Sequence, residues 1–206
     1  MPFHRILAWI SSIFGKRKRF SLGLYGNVNV GKSTLANRIS RDWTGEEMSK
    51  ISEVPHETRT VVRKERVIVK VKDRELDMNL LDMPGIATKV DYREFVQYGL
   101  SQDEAQQRAK EATKGIVEAI KWLEHVEAAL VVMDSAHDPY TQVNLTILGN
   151  LEARGIPVVI VANKIDLKKS RVDRIKEAFP QHSVVGLSAK TGENMKKLYE
   201  AIAAKV

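Results

Sequence analysis

The chain has 206 residues, 43% of them hydrophobic, and a formal net charge of +7. That length suffices for one domain with a proper core plus a small extension. Cysteine is absent, which excludes disulfides, thiolate metal sites, prenylation and palmitoylation and suits a reducing cytosol. No run of eighteen apolar residues is present to span a membrane. The charge is not spread evenly: residues 1–20 hold Arg5, Lys16, Arg17, Lys18 and Arg19 and no acid, leaving only +2 on the rest. The basicity is therefore a property of the leader, not of the body.

In the leader, Phe3, Ile6, Leu7, Ile10, Ile13 and Phe14 recur at helical spacing, with His4, Arg5, Ser11 and Ser12 opposite and Trp9 at the border. An amphipathic helix followed by Lys16-Arg17-Lys18-Arg19 has the pattern of an interfacial anchor with a polybasic patch. The competing reading is that the apolar face docks on the body or on a protein partner. Residues 1–19 are assigned as an N-terminal extension, and 20–206 as the main domain. The expected location is the cytoplasm, peripheral on the membrane face under the first reading.

Residues 20–25 read as a buried strand and 32–39 as the opening of a helix. Between them, residues 26–33 read G-N-V-N-V-G-K-S. A glycine, four residues and Gly-Lys-Ser between strand and helix is a phosphate-binding loop. Gly26 and Gly31 let the backbone wrap phosphates, so that the N–H groups of Asn27, Val28, Asn29, Val30 and the helix start through Thr34 face the negative charge. Lys32 is placed to reach the β- and γ-phosphates, and the Ser33 hydroxyl to hold Mg²⁺.

A polar stretch, Pro55-His56-Glu57-Thr58-Arg59-Thr60, precedes a strand-like run at 61–71. Thr58 is the candidate second Mg²⁺ ligand. The apolar segment 76–81 then leads into Asp82-Met83-Pro84-Gly85. Asp82 is expected to meet Mg²⁺ through water and the Gly85 N–H to sense the γ-phosphate, an arrangement that orders or releases a loop. Residues 85–128 are expected to be mostly helical. Ser101 to Glu104 carry a capping-box signature, and Ala112, Ile116, Ala119, Ile120 and Leu123 mark one face of a helix over 105–126. Tyr92, Phe95 and Tyr98 are read as core or as a partner-facing patch.

The apolar run 157–162 ends in Asn163-Lys164-Ile165-Asp166, and 184–187 ends in Ser188-Ala189-Lys190. Asp166 is placed to accept two hydrogen bonds from guanine, a pattern adenine does not offer, as a buried carboxylate that the wrong base leaves unpaired. Lys164 is expected to lay its stem along the base, Asn163 to tie loops together, and Ala189 to offer its N–H to the guanine carbonyl. Thr191-Gly192-Glu193-Asn194 is expected to cap a final helix at 195–204. With the phosphate loop these stretches point to GTP and GDP. Alternating strands and helices predict an α/β fold: a three-layer P-loop nucleoside triphosphatase domain with a mostly parallel sheet and the ligand at its carboxyl ends.

From residue 20 onward the chain resembles the Era-like (TrmE, Era and EngA type) branch of translation-factor-class small GTPases. The features beyond the shared motifs are Asn29 in the phosphate loop, Thr58-Arg59, and Pro84 within D-x-P-G. Val28 and Thr60 depart from the branch, which often carries Pro and Asp there. The resemblance implies Mg²⁺-dependent hydrolysis of GTP to GDP and phosphate, and a K⁺ ion held near Asn29. Ile86 stands where Ras-like enzymes place the water-orienting Gln, so that route is not expected. Glu94 occupies a position similar to the catalytic Glu of tRNA-modification GTPases; a solvated helix residue is the alternative. RNA binding and ribosome assembly follow from family analogy only, and nucleotide-dependent dimerisation is left open. The only G-x-x-G, at residues 23–26, is taken by strand and phosphate loop, so no KH module is expected. That makes the short, stand-alone archaeal Era-like proteins the nearest type.

Overall fold

The computed structural model describes residues 19–48, 60–86, 93, 96, 97 and 99–206, without the side chains of 112, 115 and 116. Thr58, Glu94, the leader through residue 18, and Tyr92, Phe95 and Tyr98 lie outside these residues.

Among the described residues six strands form one sheet: β1 (Phe20–Tyr25), β2 (Val62–Val71), β3 (Arg74–Asp82), β4 (Ala128–Asp134), β5 (Val158–Asn163) and β6 (Ser183–Gly186), in the order β2-β3-β1-β4-β5-β6. Among the described residues only the β2–β3 hairpin is antiparallel; every other neighbouring pair is parallel. The central strands read as continuous apolar runs because helices cover both faces. Helices α1 (Lys32–Thr44) and α5 (Met195–Ala203) lie on one face, while α2 (Gln102–Lys121), α3 (Gln142–Ala153) and α4 (Val172–Ala178) serve the other. Leu24, Leu80, Leu130, Val132 and Val161 point to the first face; Tyr25, Leu81, Met133 and Ile160 point to the second. Each fully buried aliphatic side chain contributes about 1.5–3 kcal/mol of transfer free energy.

Strand β2 alternates instead. Val67, Val69 and Val71 are buried, while Arg63, Glu65, Ile68 and Lys70 are half or fully exposed, as an edge strand requires. A register shift between Lys64 and Val67, with Arg66 at φ 58°, bends this edge.

Several expected bounds shift. Helix α1 runs to Thr44, since Leu35, Ala36 and Ile39 pack on the sheet and Trp43 continues the stripe. The capping box forms: Ser101 Oγ accepts from Glu104 N, and Glu104 Oε2 accepts from Ser101 N. The helix it starts ends earlier than expected, tightening into a 3₁₀ turn over Trp122–His125 before Val126 extends into β4. Ala119 and Leu123 of its apolar face are buried, whereas Ile120 is exposed. At α5, Asn194 is the N-terminal residue but caps with no side-chain bond; it adopts φ 62° and donates Nδ2 to Gly186 O at 2.9 Å. That choice ties the helix to β6 instead of to its own first turn.

Arg19 is held to the sheet. Its Nε and Nη2 donate to the two carboxylate oxygens of Asp77 on β3, at 2.9 and 3.1 Å. Among the described residues no helix is long and apolar enough to cross a membrane.

Candidate nucleotide site

The sheet brings the motifs together at its carboxyl edge. β1 runs into the phosphate loop, β3 ends on Asp82, β4 on Asp134 and β5 on Asn163. Two loop glycines are required by close approach. A Cβ on Gly26 (φ 149°) would stand 2.3 Å from Val132 O, and one on Gly31 (φ 94°) 2.3 Å from Asn163 Nδ2. The loop is thus seated directly on β4 and on the N-K-I-D turn.

Helix α1 begins at Lys32 with no side-chain cap and no acid in its first turn. Its leading N–H groups and positive dipole end are left to an anion. Lys32 is buried and donates Nζ to Asn27 O at 2.7 Å. Burial lowers its pKa to about 8, partly opposed by the charge of Asp82. The D-x-P-G segment rides on this loop: Ile86 N donates to Gly26 O at 3.2 Å, and Asn27 and Ile86 form a parallel bridge. Gly85 presses so closely that a Cβ there would stand 2.7 Å from Val28 Cγ1 and 3.4 Å from Lys32 Nζ. Val28, which departs from the usual Pro, fills that contact.

Asp82 is fully buried, and neither carboxylate oxygen closes a hydrogen bond of good geometry. Burial raises its pKa, while the adjacent Ser33 hydroxyl and the Lys32 charge pull it down. A buried carboxylate with open lone pairs beside a hydroxyl, at the start of an uncapped helix, suits a hard, oxygen-seeking divalent cation. Ser33 and Asp82 therefore fit Mg²⁺.

Asn163 is the junction of the site. It is buried, donates Nδ2 to Val30 O at 2.8 Å, and accepts from Ala189 N at Oδ1, at 3.0 Å. One side chain thereby joins phosphate loop, N-K-I-D turn and S-A-K loop. The Ala189 N–H, expected to face the guanine carbonyl, is engaged with Asn163 instead. Ser188 is buried and accepts from Thr191 N through Oγ, at 3.1 Å. Arg38 of α1 braces the same loop by donating to Ala189 O and Lys190 O. The Asp166 carboxylate, expected to be buried, is exposed at a turn after β5.

Lys164 adopts φ 66° and donates Nζ to Asn29 O and to Asp134 Oδ2, both at 2.7 Å. Asp134 also holds Ala136 N at 2.9 Å and faces His137 Nδ1 at 3.2 Å. Burial works against its charge, yet Lys164, the Ala136 N–H and His137 outweigh it and keep the carboxyl below its usual range. Asp134 escaped the sequence reading. The signal was present: it follows the apolar run Ala128–Met133 just as Asp82 and Asn163 follow theirs. Asn29 is exposed at φ 57°, and its backbone carbonyl, not its amide, makes the contact with Lys164.

Known proteins resemble this chain in sequence and fold. Residues 21–164 match the family model described as 50S ribosome-binding GTPase. The chain is 26% identical over 200 residues to GTPase Der of Ruegeria pomeroyi, covering 91% of this chain and 35% of that protein. It is 31% identical over 186 residues to the tRNA modification GTPase MnmE of a Synechococcus species, covering 90% and 33%. It thus spans about a third of the length of these relatives. Among solved structures, Aquifex aeolicus Era bound to GDP and aluminium tetrafluoride superposes with a TM-score of 0.68 at 25% identity, covering 92% of this chain and 57% of that one. Era in complex with MgGDPNP and a 16S ribosomal RNA segment gives the same TM-score at 24% identity, a likeness of fold. With its family model spanning most of the domain and the nucleotide loops assembled around Asn163, the chain belongs to the 50S ribosome-binding GTPase family.

Proposed function

We propose that this chain is a GTP-driven conformational switch that hydrolyses GTP to GDP and phosphate with Mg²⁺. The observation that carries the reading is the Asn163 bridge, which locks the phosphate-binding and base-selecting loops into one unit. Residues 26–34 take the phosphates. Asn163, Lys164, Asp166 and residues 188–190 form the guanine side. Ser33, with Thr58 as its proposed companion and Asp82 acting through water, would hold Mg²⁺, which would supply charge neutralisation for phosphoryl transfer. Water attacks the γ-phosphorus, the bond to the β-phosphate oxygen breaks, and GDP leaves.

Lys32 stabilises charge on the transferring group by position and electrostatics. Its burial already places it where water screens little. The Gly85 segment, bonded to the phosphate loop through Ile86, is the element that responds to the γ-phosphate. Ile86 offers no group to orient water, so Glu94 is assigned that role and Asn29 a K⁺ ion. Turnover is accordingly slow without K⁺ or a partner. Residues 1–19 are assigned as a docking extension, anchored at its end by the Arg19–Asp77 pair.

GTP turnover with Mg²⁺ in matched KCl and NaCl tests this reading. Faster release of phosphate in KCl is expected, abolished by Lys32→Ala. Equal nucleotide affinity in wild type and Lys32→Ala would remove the phosphate-loop assignment.

A further inference from the structure

A second cleft lies away from the nucleotide loops, on the sheet face covered by α2. Its volume is about 520 Å³, and it is lined by Ser21, Arg63, Leu81, Lys121, Trp122 and His125. Three of these six side chains are basic and none is acidic. Trp122 is partly buried against the second core cluster and meets His125 edge-on at 5.4 Å, which fixes the orientation of the indole at the cleft wall. We propose that this cleft binds single-stranded nucleic acid, one base lying on Trp122 and the flanking phosphates on Arg63 and Lys121.

The chemistry of the lining selects that ligand. An indole flanked by cations is what a base with its phosphates recognises: the ring supplies a sequence-tolerant stacking surface, and the cations track the backbone. The volume falls within the range of small-ligand sites, so it admits one splayed nucleotide and excludes a duplex. An acidic peptide would use the cations but leave the indole without a planar partner.

Two of the neighbouring acids are already engaged. Glu65 pairs with Arg63 at 3.3 Å, but both side chains are about half exposed, and such pairs contribute little and yield readily to a stronger anion. Glu127 is turned toward the Ser21 backbone N–H, which it accepts at 3.0 Å. Placement adds a consequence: Leu81, the floor of the cleft, directly precedes Asp82, and Arg63 pairs across from Leu81 in the β2–β3 ladder. A strand held here would lie beside the segment that leads into D-x-P-G. The proposal goes beyond the switch reading and is separable from it, because none of these residues belongs to the nucleotide loops.

The test is fluorescence anisotropy of labelled hexauridylate on the full chain loaded with GDP and Mg²⁺, from about 50 to 200 mM KCl. Trp122→Ala should weaken binding about ten-fold or more, and Trp122→Phe should restore most of it. The Arg63→Ala, Lys121→Ala pair should weaken binding and reduce the slope of log affinity against log salt by roughly one to two. Affinity for mant-GDP, measured on every variant, should stay at the wild-type level and reports separately on the fold and the nucleotide site. Unchanged oligonucleotide affinity and salt slope in the surface Arg63, Lys121 variant would overturn the proposal, whatever Trp122→Ala does to stability. Equal affinity of Trp122→Ala and wild type, with polyglutamate displacing the oligonucleotide at matched charge, would reassign the cleft to an acidic protein segment.

Discussion

The Lys164 ammonium sits 2.7 Å from Asp134 Oδ2 and the same distance from Asn29 O, so the end of β4 is tied through one lysine to the crest of the phosphate loop. Asp134 is only 9% exposed in its side chain and Lys164 32%, placing the pair between the surface and buried regimes. Removing the acid while keeping the lysine leaves a partly desolvated cation with one carbonyl partner. Asp134→Ala should therefore weaken GDP and GTP binding alike, by about 1–3 kcal/mol, or roughly five- to 150-fold. Titration with mant-GDP checks it. Asp134→Asn, which keeps an acceptor, should recover part of the loss; no change in either variant would mean that Lys164 is positioned by the loop carbonyl alone.

Asn163 offers a sharper case because its two bonds join loops distant in sequence. Asn163→Ala would orphan Val30 O and the Ala189 N–H, at about 1–3 kcal/mol for each buried group left unpaired. The expected result is loss of nucleotide affinity together with a lower melting temperature for the nucleotide-free protein. A variant that lost affinity with no change in melting would show that Asn163 acts only on the ligand, and the bridge would count for little in the fold.

Much of this architecture was legible beforehand, for a physical reason. The strands of a parallel sheet are buried on both faces and read as apolar runs, and each functional loop stands where such a run stops. Glycine spacing disclosed the phosphate loop because backbone crowding leaves no alternative there, as the 2.3 Å approaches to Val132 O and Asn163 Nδ2 show. What did not show was partner choice. Nothing in the spacing of Ala189 says that its N–H goes to Asn163, and nothing in Asn194 says that it bonds Gly186 O instead of capping its helix. Those outcomes depend on tertiary neighbours. Asp134 was overlooked because a lone acid after an apolar run carries no motif, although its place at a strand end is the same as that of Asp82.

The Asp166 carboxylate, proposed above to select guanine, is exposed. Covering Asp166 with a base that offers it two donors is favourable; covering it with one that does not leaves a charge unpaired. Asp166→Asn turns one acceptor into a donor and should shift preference from guanine toward xanthine nucleotides, with about a hundred-fold or greater loss for GTP. Competition between GTP and xanthosine triphosphate for mant-GDP displacement reads this directly. Unchanged selectivity would remove Asp166 from the base-binding set.

Lys32 gives the site a pH signature. Its folded-state pKa is lowered to about 8, below the ordinary value of 10.5, because burial penalises the charge more than Asp82 compensates it. The unfolded chain therefore binds the extra proton between these two values, and stability rises with pH there. At neutral pH the nucleotide-free protein carries the cost of a buried ammonium; raising pH through about 8 toward 10.5 relieves it. Melting of the nucleotide-free protein should improve, relative to a Lys32→Met variant, across that window. Triphosphate affinity should move the opposite way, since the neutral amine loses its attraction for phosphate, and Lys32→Met should flatten both profiles. Parallel profiles for wild type and Lys32→Met would show that the titrating group lies elsewhere.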